Sequence, residues 1–493
     1  MILKRSLNTI LFILLLSISL PLCVYSCTDN ETQEEKKDNT EDKDDNADNG
    51  DKDDTTDNKF DKSMFYCPDE FKNMDFTNPD SKWCYDRSKQ SDNFIVFWEK
   101  GYEYEPGDSK TPEEYRVDID DLLAKAEEFY DVNIHHLKFA NEGTGESNVD
   151  KYKMLIMLHY TTDWMAYGGG YDNEIGALWI SPSTCKPVGS TIAHEIGHSF
   201  QYQTYCDLKT HDGEPGAVAG DPGFRHAIGQ GNTFWEQTAQ YQSLISYPKQ
   251  IFETVDYNDV YRKNCFRHFT HEHQRYASYY LHYYWTEKHG EEIVGKVWRE
   301  SKSPEDPLEA YMRLTDIDNT ALNAEMYDAA AKFATWDVDG LREYGKLKIG
   351  TIAYGYNKLG DGSYQVSYDF CPENTGYNII DLDISANPTS ISVEFTGLPN
   401  ESGYNTVDAS LAGWSYGFVA LLDDDTRVYG DMNQTVNIGA ASFNVPANTV
   451  RLFMVVTPTP TEYIVHKWDE DNTNDPHWPY KFKLTNTKVV GDS

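Results

Sequence analysis

Positive charge is scarce in this chain: 43 Lys and Arg face 81 Asp and Glu, a formal balance of −38 over 493 residues. Such a surface repels polyanions, which argues against nucleic acid and anionic membrane faces as partners. Part of the excess lies in residues 28–63, and the rest belongs to the folded body. Long apolar runs are also lacking. One stretch, from about Leu7 to Leu22 behind Lys4 and Arg5, is too short to span a bilayer comfortably. None of the six cysteines beyond residue 27 has the paired spacing of a structural zinc site. No internal repeat is evident, so a repeat architecture is not expected.

What is present begins with an export signal. Val24-Tyr25-Ser26-Cys27 has the form of a bacterial lipobox, so residues 1–27 are expected to be a signal peptide ending at a lipid-bearing Cys27. Cys23 fits less well behind Leu22. Residues 28–63 are nearly all Asp, Glu, Asn, Lys and Thr, with Phe60 as the one aromatic. That composition cannot bury enough surface to offset ordering entropy and is expected to form an acidic tether. The tether is similar to the surface-export signals of Bacteroidota lipoproteins. The expected location is therefore the outer membrane, held through the lipid alone and exposed on the cell surface. Cys67, Cys84, Cys185, Cys206, Cys265 and Cys371 permit three disulfides in an exported chain. Cys67–Cys84 and Cys185–Cys206 are the expected pairs, the second bracing one helix if the span allows.

His194-Glu195-Ile196-Gly197-His198 is the most informative stretch. Ile192, Ile196 and Phe200 have helical spacing, and positions i and i+4 share a helix face. Both imidazoles can then reach one metal ion, expected to be Zn2+, with Glu195 beside them as general base for a water rather than as a ligand. A catalytic zinc takes three protein ligands. Ser199 to Thr204 supply no Gly and His in the metzincin positions, and Asp207 or Asp212 has no supporting pattern. Glu236 is the better third ligand. Asn232 or Thr233 could cap its helix, and Phe234, Trp235, Ala239 and Leu244 could pack that helix on the first. His271, His273, Arg275 and Tyr276 form a polar cluster further on, from which His273 and Tyr276 are candidate oxyanion donors. His211 and His226 lie in a loop over residues 207–231 and are not counted as ligands.

Apolar runs at 94–98, 153–158 and 176–181 read as strands, and 118–137 reads as a helix. Glu236 onward is helical to Pro248. Residues 267–301 read as a long helix with a dense aromatic face, and 307–336 as two more helices. Past about 346 the pattern becomes short alternating runs between Gly, Asn, Asp and Pro clusters, the signature of a β-sandwich over 347–493. Asp469-Glu470-Asp471-Asn472 with Asp475 could hold calcium, but the spacing matches no EF-hand.

Strand, strand and motif helix follow the order of the zincins, and a glutamate on a second helix resembles the gluzincins. The resemblance implies an α+β zincin-like domain over 64–346, with a small mixed sheet plus helices, and a substrate groove lined by the strand just before the motif helix. It also implies a Tyr or His near the zinc. Asn93 to Trp98, His194 to Gln201, Trp235-Glu236, Thr459 to Tyr463 and Trp478 to Lys481 resemble a family of exported bacterial proteins of unassigned function. The expectation is a surface-anchored zinc metallopeptidase acting on protein, peptide or glycoprotein. The rival is a glycan- or peptide-binding lipoprotein without turnover. A third reading, hydrolysis of non-peptide amides such as peptidoglycan, shares the site.

Overall fold

The computed structural model describes residues 60–207, 231–253, 255–302, 305–466 and 475–492. The lipobox with Cys27, most of the tether, His211, Asp212, His226 and Asp469 to Asn472 lie outside them. Phe60, assigned to the tether by composition, instead packs within 4.4 Å of the Tyr85 ring and 5.7 Å of Phe97.

The first sheet holds β1 (Ser88–Gln90), β2 (Phe94–Trp98), β3 (Met154–Leu158), β4 (Ala166–Tyr171) and β5 (Ile175–Ile180), in the order β1-β2-β3-β5-β4. β2, β3 and β5 run parallel, while β4 lies antiparallel at the edge. β2 is apolar throughout because both its faces are covered. Phe94, Val96 and Trp98 enter the main core, and Ile95 and Phe97 enter a smaller one with Trp83.

Helix α1 (Ile119–Asp131) starts where the Asp118 carboxylate accepts from the backbone of Asp120 and Asp121, and a π turn at Val132–His136 ends it. Helix α2 (Ser190–Cys206) packs on the sheet, and α3 (Gly231–Ser246) packs on α2. Beyond them come α4 (Val255–Asn264), α5 (Tyr280–His289), α6 (Ile293–Glu300), α7 (Pro307–Thr315) and α8 (Asn319–Phe333). The single long helix expected over 267–301 is therefore not formed. Gly290 stops α5 at φ +91°, a conformation that costs glycine little, and residues 267–278 fold as turns. Tyr279, Tyr280, Tyr283, Tyr284 and Trp285 are buried core, as aromatics of that density usually are.

The C-terminal part forms two antiparallel sheets. One contains β8 (Asn378–Leu382), β10 (Trp414–Leu422), β11 (Arg427–Tyr429), β12 (Asn433–Thr435) and β14 (Thr449–Pro458). The other contains β6 (Tyr356–Lys358), β7 (Tyr364–Val366), β9 (Ser390–Gly397), β13 (Ile438–Asn444) and β15 (Tyr480–Thr485). A shared core of Val393, Phe395, Trp414, Phe418, Met454 and Phe482 lies between them. The opposite faces of β8, β10 and β14 present Ile379, Val419, Phe453 and Val455 to the helical core beside α8. Residues on either side of position 346 thus share one core, and the chain from Lys59 onward is one compact unit of the α+β class.

The expected disulfides are absent: all six cysteines are free. Cys185 precedes α2 and Cys206 closes it. At about 1.5 Å per residue that helix is roughly 25 Å long, whereas the Cα atoms of a disulfide lie within about 7 Å. The half-buried Cys67 instead turns its thiol to the Pro68 carbonyl at 3.9 Å.

Candidate metal centre

His194 and His198 lie one turn apart on α2, and α3 brings Glu236 against them. The three atoms His194 Nε2, His198 Nε2 and Glu236 Oε2 form a triangle with every edge 3.1 Å. The two rings stand 87° apart, and each Nε2 faces the same carboxylate oxygen. Helix spacing supplies two of these groups, and the packing of α3 on α2 supplies the third.

The outer nitrogens are held as well. His194 Nδ1 lies 2.9 Å from Gln240 Oε1, and His198 Nδ1 lies 2.9 Å from Gln201 Oε1. An amide oxygen accepts, so each Nδ1 carries a proton, which leaves each Nε2 as the atom that would turn a lone pair to a bound metal. Gln201 is fixed in turn: its amide donates to the Trp235 carbonyl and to Gln242 Oε1, both at 3.0 Å. Glu236 Oε1, the oxygen away from the histidines, accepts from the Tyr276 hydroxyl at 2.9 Å. The Tyr276 ring is itself stacked on Tyr257 at 5.6 Å and covered by the Arg275 guanidinium at 5.1 Å.

Two lone pairs and a carboxylate converging at this spacing repel one another unless a cation lies among them. A tetrahedral ion with bonds of ~2.0–2.1 Å keeps its ligands about 3.3 Å apart. Donor types, count and spacing therefore fit a zinc-like divalent metal. Without one, a proton serves. Burial opposes charge on His198, but the Glu236 carboxylate outweighs it and the ring is held up to about 9. Burial opposes charge on Glu236 too, yet the two imidazoles keep it far below the usual carboxylate range. Burial and the Glu236 charge push the Tyr276 phenol well above its ordinary value, so it remains an O–H donor.

The triangle opens into a cavity of about 560 Å³. Glu195, only 7% exposed, lines this cavity without joining the triangle. The opposite wall is the edge strand β4. Gly168 allows that close approach: a Cβ there would sit 2.0 Å from the Glu195 carbonyl oxygen and 2.6 Å from His198 Cβ. Trp164 and Tyr167 line the same wall, with 64% and 61% of their surfaces exposed. The wall is thus β4 and not β5, the strand nearest the motif helix in sequence.

The fold brings together His194, Glu195, His198, Glu236 and Tyr276. It does not bring His273 there: that ring is exposed, and its backbone N–H donates to His271 Nδ1 at 3.0 Å. Asp207 is likewise held elsewhere, by Ser147, Asn148 and Gln203. Gln201 and Gln240 were missed from sequence, although helical spacing marks them, at three residues after His198 and four after Glu236.

The chain belongs to the family of unknown function DUF6055, whose model matches residues 57–491. No curated protein matches it. Among solved structures it is similar to a functionally unknown conserved protein, in mutant form, from Bacillus anthracis str. Ames, at 14% identity and a TM-score of 0.28. The match covers 55% of this chain and 53% of that one, so this chain spans about half the length of that protein. A likeness of that degree carries no argument about fold or function. Among the described residues, no helix is long and apolar enough to cross a membrane.

Proposed function

We propose that this chain is a zinc metallopeptidase of the gluzincin type, exported and anchored at the cell surface through a lipid on Cys27. One observation carries the reading: two imidazoles and a carboxylate from neighbouring helices meet at mutual distances of 3.1 Å, with each imidazole's outer nitrogen tied to a glutamine. On this reading the first sheet with α2 and α3 is a zincin-like unit, and the two C-terminal sheets are a β-sandwich packed on it.

His194, His198 and Glu236 hold the metal. Bound zinc supplies a Lewis acid that polarises a carbonyl and brings the pKa of water toward neutrality. Glu195 takes the proton from the attacking water and returns it to the leaving amine. Tyr276 keeps Glu236 oriented through its hydroxyl. The outer edge of β4 has no strand partner among the described residues, so an extended polypeptide can add to it as a further strand. That supports an unfolded segment of protein or peptide as substrate.

Metal analysis of the purified protein and digestion of a broad peptide library test the proposal. The parent is expected to hold one zinc per chain and to cleave. Glu195→Gln is expected to keep the zinc and lose cleavage, and Glu236→Ala to lose the zinc. Zinc bound by a parent that cleaves nothing in the library would favour a binding lipoprotein instead.

A further inference from the structure

A second group of histidines and carboxylates lies where the segment linking β14 to β15 meets the turns of residues 267–278. The buried His466 ring sits between two carboxylates: Nε2 is 2.9 Å from Glu272 Oε2, and Nδ1 is 3.4 Å from Asp475 Oδ1. The His271 ring stacks on His466 at 4.8 Å and lies 3.3 Å from Asp475 Oδ2 through its own Nε2. His268 also stacks on His466, at 5.5 Å.

The same turns are held by the C-terminal part at further points, among them the Arg267–Glu373 ion pair at 3.4 Å and the Tyr463 hydroxyl 3.3 Å from His268 Nε2. The backbone of His268 donates to Glu373 Oε2 at 2.8 Å, and that of Phe269 donates to Thr375 Oγ1 at 2.9 Å. Gln237, next to Glu236 on α3, donates to the Phe269 carbonyl at 2.7 Å. Gln274 closes the turns internally onto the carbonyls of Arg267 and His268 at 3.1 Å. Tyr276 follows two residues later, with its hydroxyl on Glu236.

We propose that His466 is a positioning residue: by bridging Glu272 and Asp475 it clasps the turn that carries Tyr276 and so aims that hydroxyl at Glu236. Connections between the C-terminal strands then complete the metal centre from outside. Both ring nitrogens face carboxylate oxygens, so the ring serves as a doubly donating imidazolium. Burial pulls its pKa down, but Asp475 and Glu272 outweigh that and hold it up to about 9. His271 and His268 are kept below their usual value, chiefly by burial, and so do not compete for the positive charge. A second metal ion in this group is disfavoured. The Arg267 guanidinium is 2.8 Å from His271 Nε2 and 4.0 Å from Asp475 Oδ2, where the ion's ligands would have to be.

The link to Tyr276 rests on the metallopeptidase reading only through metal affinity, so the test has two arms on the full chain. The first is hydrogen exchange of backbone amides followed by mass spectrometry. In His466→Gln, peptides covering 267–278 are expected to exchange about tenfold faster or more, while those of α2 and α3 stay as in the parent. Glu272→Gln, the milder variant, is expected to do the same to a smaller degree. The second arm is zinc affinity by chelator competition. His466→Gln and Tyr276→Phe are each expected to bind zinc roughly tenfold more weakly, as outer-shell changes do. The double variant is expected to be no weaker than Tyr276→Phe alone. Exchange that is unchanged, or raised evenly along the chain, overturns the proposal. So does additive loss in the double variant, or a parent with two zinc ions of which His466→Gln loses one. A parent that binds no zinc sinks the metallopeptidase reading, and the exchange arm alone then decides the role of His466.

Discussion

The Tyr276 hydroxyl donates to one oxygen of Glu236 at 2.9 Å, while the other oxygen of that carboxylate faces both imidazoles at 3.1 Å. One hydrogen bond therefore sets the rotation of the third ligand. Tyr276→Phe keeps the ring stacked between Tyr257 and Arg275 and removes only the donor. Zinc affinity is expected to fall roughly tenfold, with little change in the unfolding midpoint. Chelator competition and thermal unfolding, run side by side, check this. An unchanged affinity would mean that Glu236 is oriented by something else.

The two glutamines behind the histidines are expected to behave differently. Gln201 is buried and donates to the Trp235 carbonyl and to Gln242, so Gln201→Leu strands Gln242 Oε1 as well as His198 Nδ1. It is expected to cost about 1–3 kcal/mol of stability along with metal affinity. Gln240 is half-buried in the cavity wall. Gln240→Leu is expected to weaken zinc binding and to cost less stability in urea unfolding than Gln201→Leu does. Equal stability losses in the two variants would contradict the burial argument.

Gly168 sets the distance between β4 and α2. Gly168→Ala drives a methyl into the Glu195 carbonyl and His198 Cβ, at 2.0 and 2.6 Å, and backbone cannot swing aside. Overpacking of this kind costs about 1–3 kcal/mol, and here it also pushes the cavity wall off the metal ligands. Gly169→Ala is the control, since its nearest neighbour is a Trp179 ring carbon at 3.5 Å. Stability and zinc affinity should drop in the first variant and hold in the second.

How much was legible in the sequence follows from how local each signal is. His194 and His198 could be read because helical spacing alone makes them neighbours. Glu236 could be read because Phe234, Trp235 and Ala239 marked its helix as one that packs. β2, β3 and β5 announced themselves as apolar runs. β4 did not, because Gly168-Gly169-Gly170 reads as a breaker when the helix it must clear is unknown. Residues 267–301 misled for a related reason: Tyr276, Tyr279, Tyr280, Tyr283 and Tyr284 keep helical spacing across the point where α5 begins, so the period does not mark the break. The contacts of His466 with Glu272 and of His271 with Asp475 join positions about two hundred apart, and no window of sequence contains them.

Six free cysteines in a chain expected to be exported make a direct test. Thiol alkylation of the unfolded, unreduced protein is expected to modify Cys67, Cys84, Cys185, Cys206, Cys265 and Cys371 alike. Reductant is expected to leave the melting temperature unchanged. A mass deficit of two hydrogens, or a reductant-sensitive melt, would restore the disulfides that sequence spacing suggested.

The His466 bridge should leave a signature in stability against pH. Its folded-state pKa, about 9, lies above the unfolded value of 6.5, so the folded protein binds the proton more tightly. The stabilisation is fully present below about pH 6.5, shrinks as pH rises, and is gone above the folded value. A shift of that size corresponds to roughly 3–3.5 kcal/mol as an upper bound. Its carboxylate partners act at the other end. Burial opposes their charge, but the histidines hold Glu272 below its ordinary value and Asp475 far below it. Their contribution is therefore present above about pH 4–4.5 and is lost as pH falls through the lowered values. The difference in unfolding free energy between the parent and His466→Gln is thus expected to be largest between about pH 5 and 6.5, to decline through pH 7 and 8, and to vanish above about pH 9. Asp306, which burial raises to about 7, titrates in both proteins and cancels in the difference, whereas Glu373, which burial raises to about 8, feels the His466 charge and its titration is part of the difference. Urea unfolding of the two proteins at pH 6, 7.5 and 9.5 measures it. A difference that stayed constant across that range would mean that His466 contributes packing without charge, and that no proton holds the clasp shut.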